Sequence, residues 1–182
     1  MDNVCLPDKQ PASMKSLLTC LVLSCSWFVP MPSLATEKDK SALVANDSLG
    51  GVKLSQKPDA VAKLIGEPAS KGKEVQWEAT GDWVEEWSYP ALGLKINMGA
   101  TSKGGAKTVL SISATAPCKL ATARGIKIGS ALADVSKAYK DAGSKEGAEP
   151  GKTFVAGSIY GGVIFSLKDG KVTDIFIGAG AE

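Results

Sequence analysis

The residues best equipped for chemistry or recognition lie in one short run, Trp83-Val84-Glu85-Glu86-Trp87-Ser88-Tyr89. On a regular strand, Trp83, Glu85, Trp87 and Tyr89 project to one side, and Val84, Glu86 and Ser88 to the other. Two indoles and a phenol on one side form a recognition patch if they are exposed, because aromatic anchors dominate protein interfaces. The same set forms core if a helix lands on it, and both readings stay open at this point. Trp77, on the preceding strand, extends either surface. Tyr160, within the flexible run Gly157-Ser158-Ile159-Tyr160-Gly161-Gly162, joins Trp83, Glu85, Trp87 and Tyr89 as a candidate partner-binding residue.

Catalytic chemistry finds little to work with. The 182 residues include no histidine, which removes His-dependent triads, most general bases poised near neutral pH and nearly all catalytic zinc sites. Glu85 and Glu86 point oppositely on a strand, leaving Glu78 and Glu85 across the hairpin as the carboxylate pair to inspect. Ser158 lacks a base that would make it a nucleophile. The glycines between Gly99 and Lys107 lack the Gly-Lys-Ser/Thr ending and the following helix of a phosphate loop. No enzyme, cofactor or metal site is expected. A net charge of +2 with Arg124 as the sole arginine argues equally against a nucleic-acid partner.

The amino-terminal stretch carries an address. From Met14 the chain shows a positive charge at Lys15, an apolar run from Leu17 to Val29, and Ser33-Leu34-Ala35. That order fits a secretory signal cut after Ala35, with residues 1–13 as an upstream extension. The run is interrupted by Pro30 and Pro32, so no transmembrane span is expected in the mature chain. The residues before Cys25 match a lipobox only loosely, and ordinary cleavage is favoured over lipid anchoring. The mature chain then keeps Cys118 alone, expected to be buried rather than redox-active.

These side chains must be positioned by an internal echo. Setting Gly51 on Gly125 brings Val52 onto Ile126, Lys53 onto Lys127, Leu54 onto Ile128 and Val61 onto Val135. Each opening leads into a short helix pattern: Pro58 to Ile65 with a stripe of Val61, Leu64 and Ile65, then a helix capped by Ser130 and stopped by Gly143. Strand patterns follow each helix, with turns at Thr80-Gly81-Asp82 and Asp169-Gly170. The expected fold class is therefore α+β, as two tandem helix-plus-antiparallel-sheet repeats sharing a core. Repeat 1 spans 51–116, a linker 117–124 and repeat 2 125–182, behind a polar leader over 36–50 and the signal peptide over 1–35. One such unit alone would bury too little apolar area to offset the ordering entropy of about 1–2 kcal/mol per residue.

The Gly-apolar-x-apolar-Gly opening with its helix, followed by strands ending in the hairpin Phe165-Ser166-Leu167-Lys168-Asp169-Gly170-Lys171-Val172, resembles small exported bacterial proteins of the SmpA/OmlA and β-lactamase-inhibitory-protein-like group. The chain differs from the inhibitory members in having no paired cysteines, and from the lipoproteins in having no clear lipobox. The resemblance implies a helical layer on an antiparallel sheet and a role in binding proteins in or outside the envelope. The expectation is thus a non-catalytic, periplasmic or secreted protein-binding module, either inhibitor-like or envelope-assembly-like. The alternative is a carrier or sensor holding an apolar small molecule in a cleft between the repeats.

Overall fold

The computed structural model describes residue 42 and residues 44–180. The expected signal peptide and the start of the leader lie outside the described residues. The described chain contains helix α1 (Pro58–Ile65), then β1 (Ser70–Lys71), β2 (Val75–Gln76), β3 (Trp83–Tyr89), β4 (Leu94–Ala100) and β5 (Thr108–Thr115). Helix α2 (Leu132–Ala138) follows, then β6 (Gly143–Glu149), β7 (Thr153–Ser158), β8 (Gly161–Lys168) and β9 (Lys171–Gly178).

These strands make one antiparallel sheet in the order β1-β3-β4-β5-β9-β8-β7-β6, with β2 also paired to β3. This corrects the expected α+β class of two helix-plus-sheet repeats. Strand accounts for 43% and helix for 14%, so the sheet carries the fold and the helices are accessories to it. The physical reason is the seam. β5 pairs directly with β9, Ile112 facing Ile177 and Ala114 facing Ile175, so the strands that follow each helix merge into a single sheet. Helices of eight and seven residues make about two turns each, too few to form a layer of their own. The internal echo persists locally, in the left-handed φ of 88° at Gly51 and 84° at Gly125.

Local chemistry explains the elements. Pro58 occupies the first turn of α1, where its missing N–H costs nothing, and Asp59 adds a favourable charge there. Ser130 does not cap α2: Ala131 occupies the N-cap position with no side-chain bond, while Ser130 Oγ accepts from Lys127 N at 3.1 Å and holds the preceding turn. The helix stops at Ala138 rather than running to Gly143, because Tyr139 leaves helical geometry, its ring fully buried 5.1 Å from that of Phe165. Asp169 and Gly170 both take left-handed φ, 51° and 71°, closing the two-residue hairpin between Lys168 and Lys171.

Alternation along the strands sends Ile96, Ile112, Ile175, Ile177, Val163 and Phe165 to one side, where Val61 of α1 and Val135 of α2 join them in the core. The described end of the expected leader belongs to this core. Val44 and Leu49 are buried, and Val44 lies against Gly157, where a Cβ would come within 2.6 Å of it. Leu49 and Val52 exchange backbone bonds across the Gly50-Gly51 turn, and Ser55 N bonds Val109 O at 2.8 Å. Residues 44–56 therefore form a strap from the end of β7 to β5. Asp47 fastens it: its carboxylate accepts from Tyr139 Oη at 2.6 Å, Ser48 N at 2.8 Å and Ala123 N at 3.0 Å. Residues 121–123, within the expected linker, are bonded to the strap through Gly50 N to Ala121 O and Ala123 N to Ser48 O.

Candidate functional site

The structure separates the candidate residues. Trp87 and Tyr89 are each 4% exposed and lie on the helix-covered side of β3 with Ile96 and Leu94 as cross-strand neighbours. Tyr89 Oη donates to Gly66 O at 3.2 Å, closing the end of α1. Burial, with the charge of Glu67 second, raises the pKa of the Tyr89 phenol. Tyr160 is 69% exposed on the β7–β8 turn, with β4, β5 and β9 lying between β8 and β3. At about 4.8 Å per strand that sets it roughly four strand spacings or more across the sheet from the others.

Glu85 and Trp87 do come together, in a charged clasp. Glu85 Oε1 accepts from Trp87 Nε1 at 2.8 Å, and Glu85 Oε2 accepts from Lys107 Nζ at 2.7 Å. Lys107 also pairs with Glu74 at 3.1 Å, and Gly104 N donates to the Glu74 carboxylate at 3.0 Å. Val75 faces Val84 in this hairpin, so the register sets Glu74 beside Glu85 and leaves Glu78 in the turn. Partial burial would raise the Glu85 pKa, but the Lys107 and Trp87 hydrogen bonds outweigh it and hold the carboxyl below its ordinary range. The Lys107 hydrogen bond does the same for Glu74, and Glu85 in turn raises Lys107. All three groups are held ionised, which suits a clasp: the two carboxylates carry no proton near neutral pH, and the Lys107 ammonium keeps its own. Lys71 Nζ sits 4.4 Å from the Trp87 ring and Lys103 Nζ 5.1 Å from the Trp83 ring, so both indoles carry a cation.

The opposite side of the sheet, which no helix covers among the described residues, holds a further feature. Two adjoining clefts of about 410 and 310 Å³ share Trp77, Ser111 and Ala179. The larger adds Asn97, Ile164, Phe176 and Gly180, and the smaller adds Ala79, Thr80, Asp82 and Leu110. Together they form a trough open to solvent across β5, β9 and β8, walled by the β2–β3 turn.

Each wall has a local cause. Gly81 N bonds Trp77 O at 2.8 Å, Trp77 N bonds Asp82 O at 2.9 Å and Asp82 N bonds Thr80 Oγ1 at 3.3 Å, so the turn is rigidly tied. A bulge pairs Asn97 with Ser111 and Met98 with Val109, leaving Leu110 as the extra residue, its side chain lying over Gly99 where any Cβ would clash. Gly178, at φ 143°, lets β9 close on Ser111, since a Cβ there would meet Ser111 Cβ at 2.8 Å. On the trough floor the buried Ser111 Oγ accepts from Asn97 Nδ2 at 3.0 Å. That leaves the Ser111 hydroxyl proton and Asn97 Oδ1 without a partner among the described residues. The signal in the sequence was the unbroken run Ile175-Phe176-Ile177, in which a strand with one polar face would have alternated.

Cys118 is buried and has no disulfide partner among the described residues. Among the described residues no group of three or more acidic or cysteine side chains could hold a metal ion, and no helix is long and apolar enough to cross a membrane. No protein-family model matches the chain, and neither a curated protein nor a solved structure shows significant similarity to it.

Proposed function

We propose that this is a non-catalytic protein-binding module of the bacterial envelope or exterior, and that it meets its partner through the helix-free face of the sheet. The observation that carries the proposal is the trough, in which Trp77, Leu110, Ile164 and Phe176 remain half-buried on a face that no helix among the described residues covers. Aromatic and aliphatic side chains flanked by an unspent donor and acceptor match the anchor pockets of protein interfaces. Export is supported by the signal-like order of residues 14–35, and the role by the resemblance to the SmpA/OmlA and β-lactamase-inhibitory-protein-like group.

A protein fits the trough better than a small molecule, because small-molecule sites enclose about 70–90% of their ligand and these clefts open along the sheet. The alternative, carriage of an apolar small molecule, draws on the place where the trough crosses the β5–β9 seam between Ser111 and Phe176. Native mass spectrometry of the mature chain purified without added ligand separates the two: an adduct that survives gentle ionisation favours carriage.

The direct test is capture of partners from periplasmic and secreted extracts by the mature chain, beside Phe176→Lys in the trough and Tyr160→Ser on the distant turn. The proposal expects a partner recovered by wild type and Tyr160→Ser to be lost with Phe176→Lys. Equal recovery with all three would remove the trough from consideration.

A further inference from the structure

The proposed protein-binding role leaves open what the partner must present, and on that reading the chemistry of the smaller cleft is selective. We propose that it takes a basic side chain, arginine above lysine, from a partner segment whose neighbouring large apolar side chain fills the larger cleft.

Charge is the first argument. Asp82 is the one charged residue among those lining the two clefts, and Glu78, exposed on the same turn, adds to its sign. The entrance is thus acidic in a chain whose net charge is +2. Complementarity calls for a cation.

The state of that carboxylate is the second. The main-chain N–H and C=O of Asp82 are spent in holding the turn, bonded to Thr80 Oγ1 and Trp77 N. Its carboxylate has no hydrogen bond or ion pair among the described residues. Glu74, Glu85, Asp47 and Asp141, by contrast, are all engaged. The turn therefore holds the Asp82 backbone in place and presents a carboxylate that is unspent among the described residues.

Trp77 is the third. Trp83 and Trp87 each have a lysine over the ring, whereas Trp77, lining the same cleft as Asp82, has none among the described residues. An indole and a free carboxylate sharing one small cleft suit a guanidinium, which stacks on the ring and bonds the carboxylate in bidentate fashion. Leu110, Ala79 and Ala179 line the same space and suit the aliphatic stem. Phe176 and Ile164 in the adjoining cleft suit a large apolar neighbour.

The test uses the ¹⁵N-labelled mature chain and the tripeptide acetyl-Phe-Arg-Phe-amide, against the same peptide with neutral citrulline in place of arginine. The proposal expects the arginine peptide to shift the Trp77 indole and Asp82 amide resonances and to bind about fivefold or more tighter than the citrulline peptide. That advantage should fall to about twofold or less in Asp82→Asn, and shrink between about 0.05 and 0.5 M salt. Asp82→Asn keeps the main-chain bonds of the turn, so it folds. Equal binding of both peptides, with shifts at Trp77 and Phe176, would overturn the cation site while leaving the trough as a protein-binding surface. No shift at any trough resonance at about 5 mM peptide, weaker than the roughly millimolar affinity that anchoring contacts provide, would also overturn it. The broader role would then be decided by the capture experiment alone.

Discussion

The two faces of the one sheet are built from the same residue types and do different work. On the covered face Ile96, Ile112, Phe165, Ile175 and Ile177 are all 2% exposed or less, packed under α1, α2 and the 44–56 strap. On the bare face Ile164, Phe176 and Leu110 stand half-buried along a trough, and the polar pair Asn97 and Ser111 holds its floor. The tryptophans divide in the same way: Lys103 lies over Trp83, and Trp87 has Lys71 over its ring and bonds Glu85, while Trp77 lines an open cleft beside Asp82, whose carboxylate has no partner among the described residues. Satisfied aromatics support the fold. Unsatisfied ones mark where another molecule can add something.

That contrast breaks most readily at its centre. Phe165→Ala on the covered face should cost about 3–5 kcal/mol of unfolding free energy in urea titration, the range for deleting a fully buried aromatic ring. Next comes the fastening of the strap. Tyr139→Phe removes one of the donors to the buried Asp47 carboxylate and should cost about 1–3 kcal/mol by the same measurement, with loss of amide protection at residues 44–52. Phe176→Ala on the bare face should cost about 1 kcal/mol or less, as for a side chain that keeps much of its hydration. A cost equal to that of Phe165→Ala would mean that both faces are core.

The clasp sharpens the comparison through pH. Glu74 and Glu85 have folded pKa values below 4.5, so their contribution is present above that pH and is lost as pH falls through the depressed values. Lys107 is raised above 10.5, so its share is lost at still higher pH. Lys107→Met should therefore flatten the acid limb of the stability curve below about pH 4.5 relative to wild type. Added salt should reduce the difference, because these pairs are partly solvated. The smallest effect belongs to Asp82→Asn, expected to leave unfolding within about 0.5 kcal/mol of wild type. A larger loss would give Asp82 a structural role.

The β3 run shows how far the residues could be read before folding. Its alternation placed Trp83, Glu85, Trp87 and Tyr89 on one side, and they are there. Which side a helix would cover depended on α1 and the strap, and the strap begins inside a stretch that reads as polar leader. Glu78 and Glu85, the carboxylates to inspect across the hairpin, do not meet, and Glu74 and Lys107 lie beside Glu85 instead, because hairpin register depends on which residues close the turn. Trp77 stood out as an aromatic without an assignable side, and its partners in the trough come from four strands distant in the chain.

Local conformational demands are written in neighbouring residues: Pro58 opens α1, Asp169-Gly170 closes a hairpin, Thr80-Gly81-Asp82 turns the chain, and the strand periods follow from which residues tolerate a pleated, half-buried surface. The merging of all strands across the β5–β9 seam, the strap that seals one face and the trough left on the other were decided only by tertiary structure. These features rest on contacts between segments far apart in sequence, whose free energy comes from burying surface against a neighbour that no local pattern identifies.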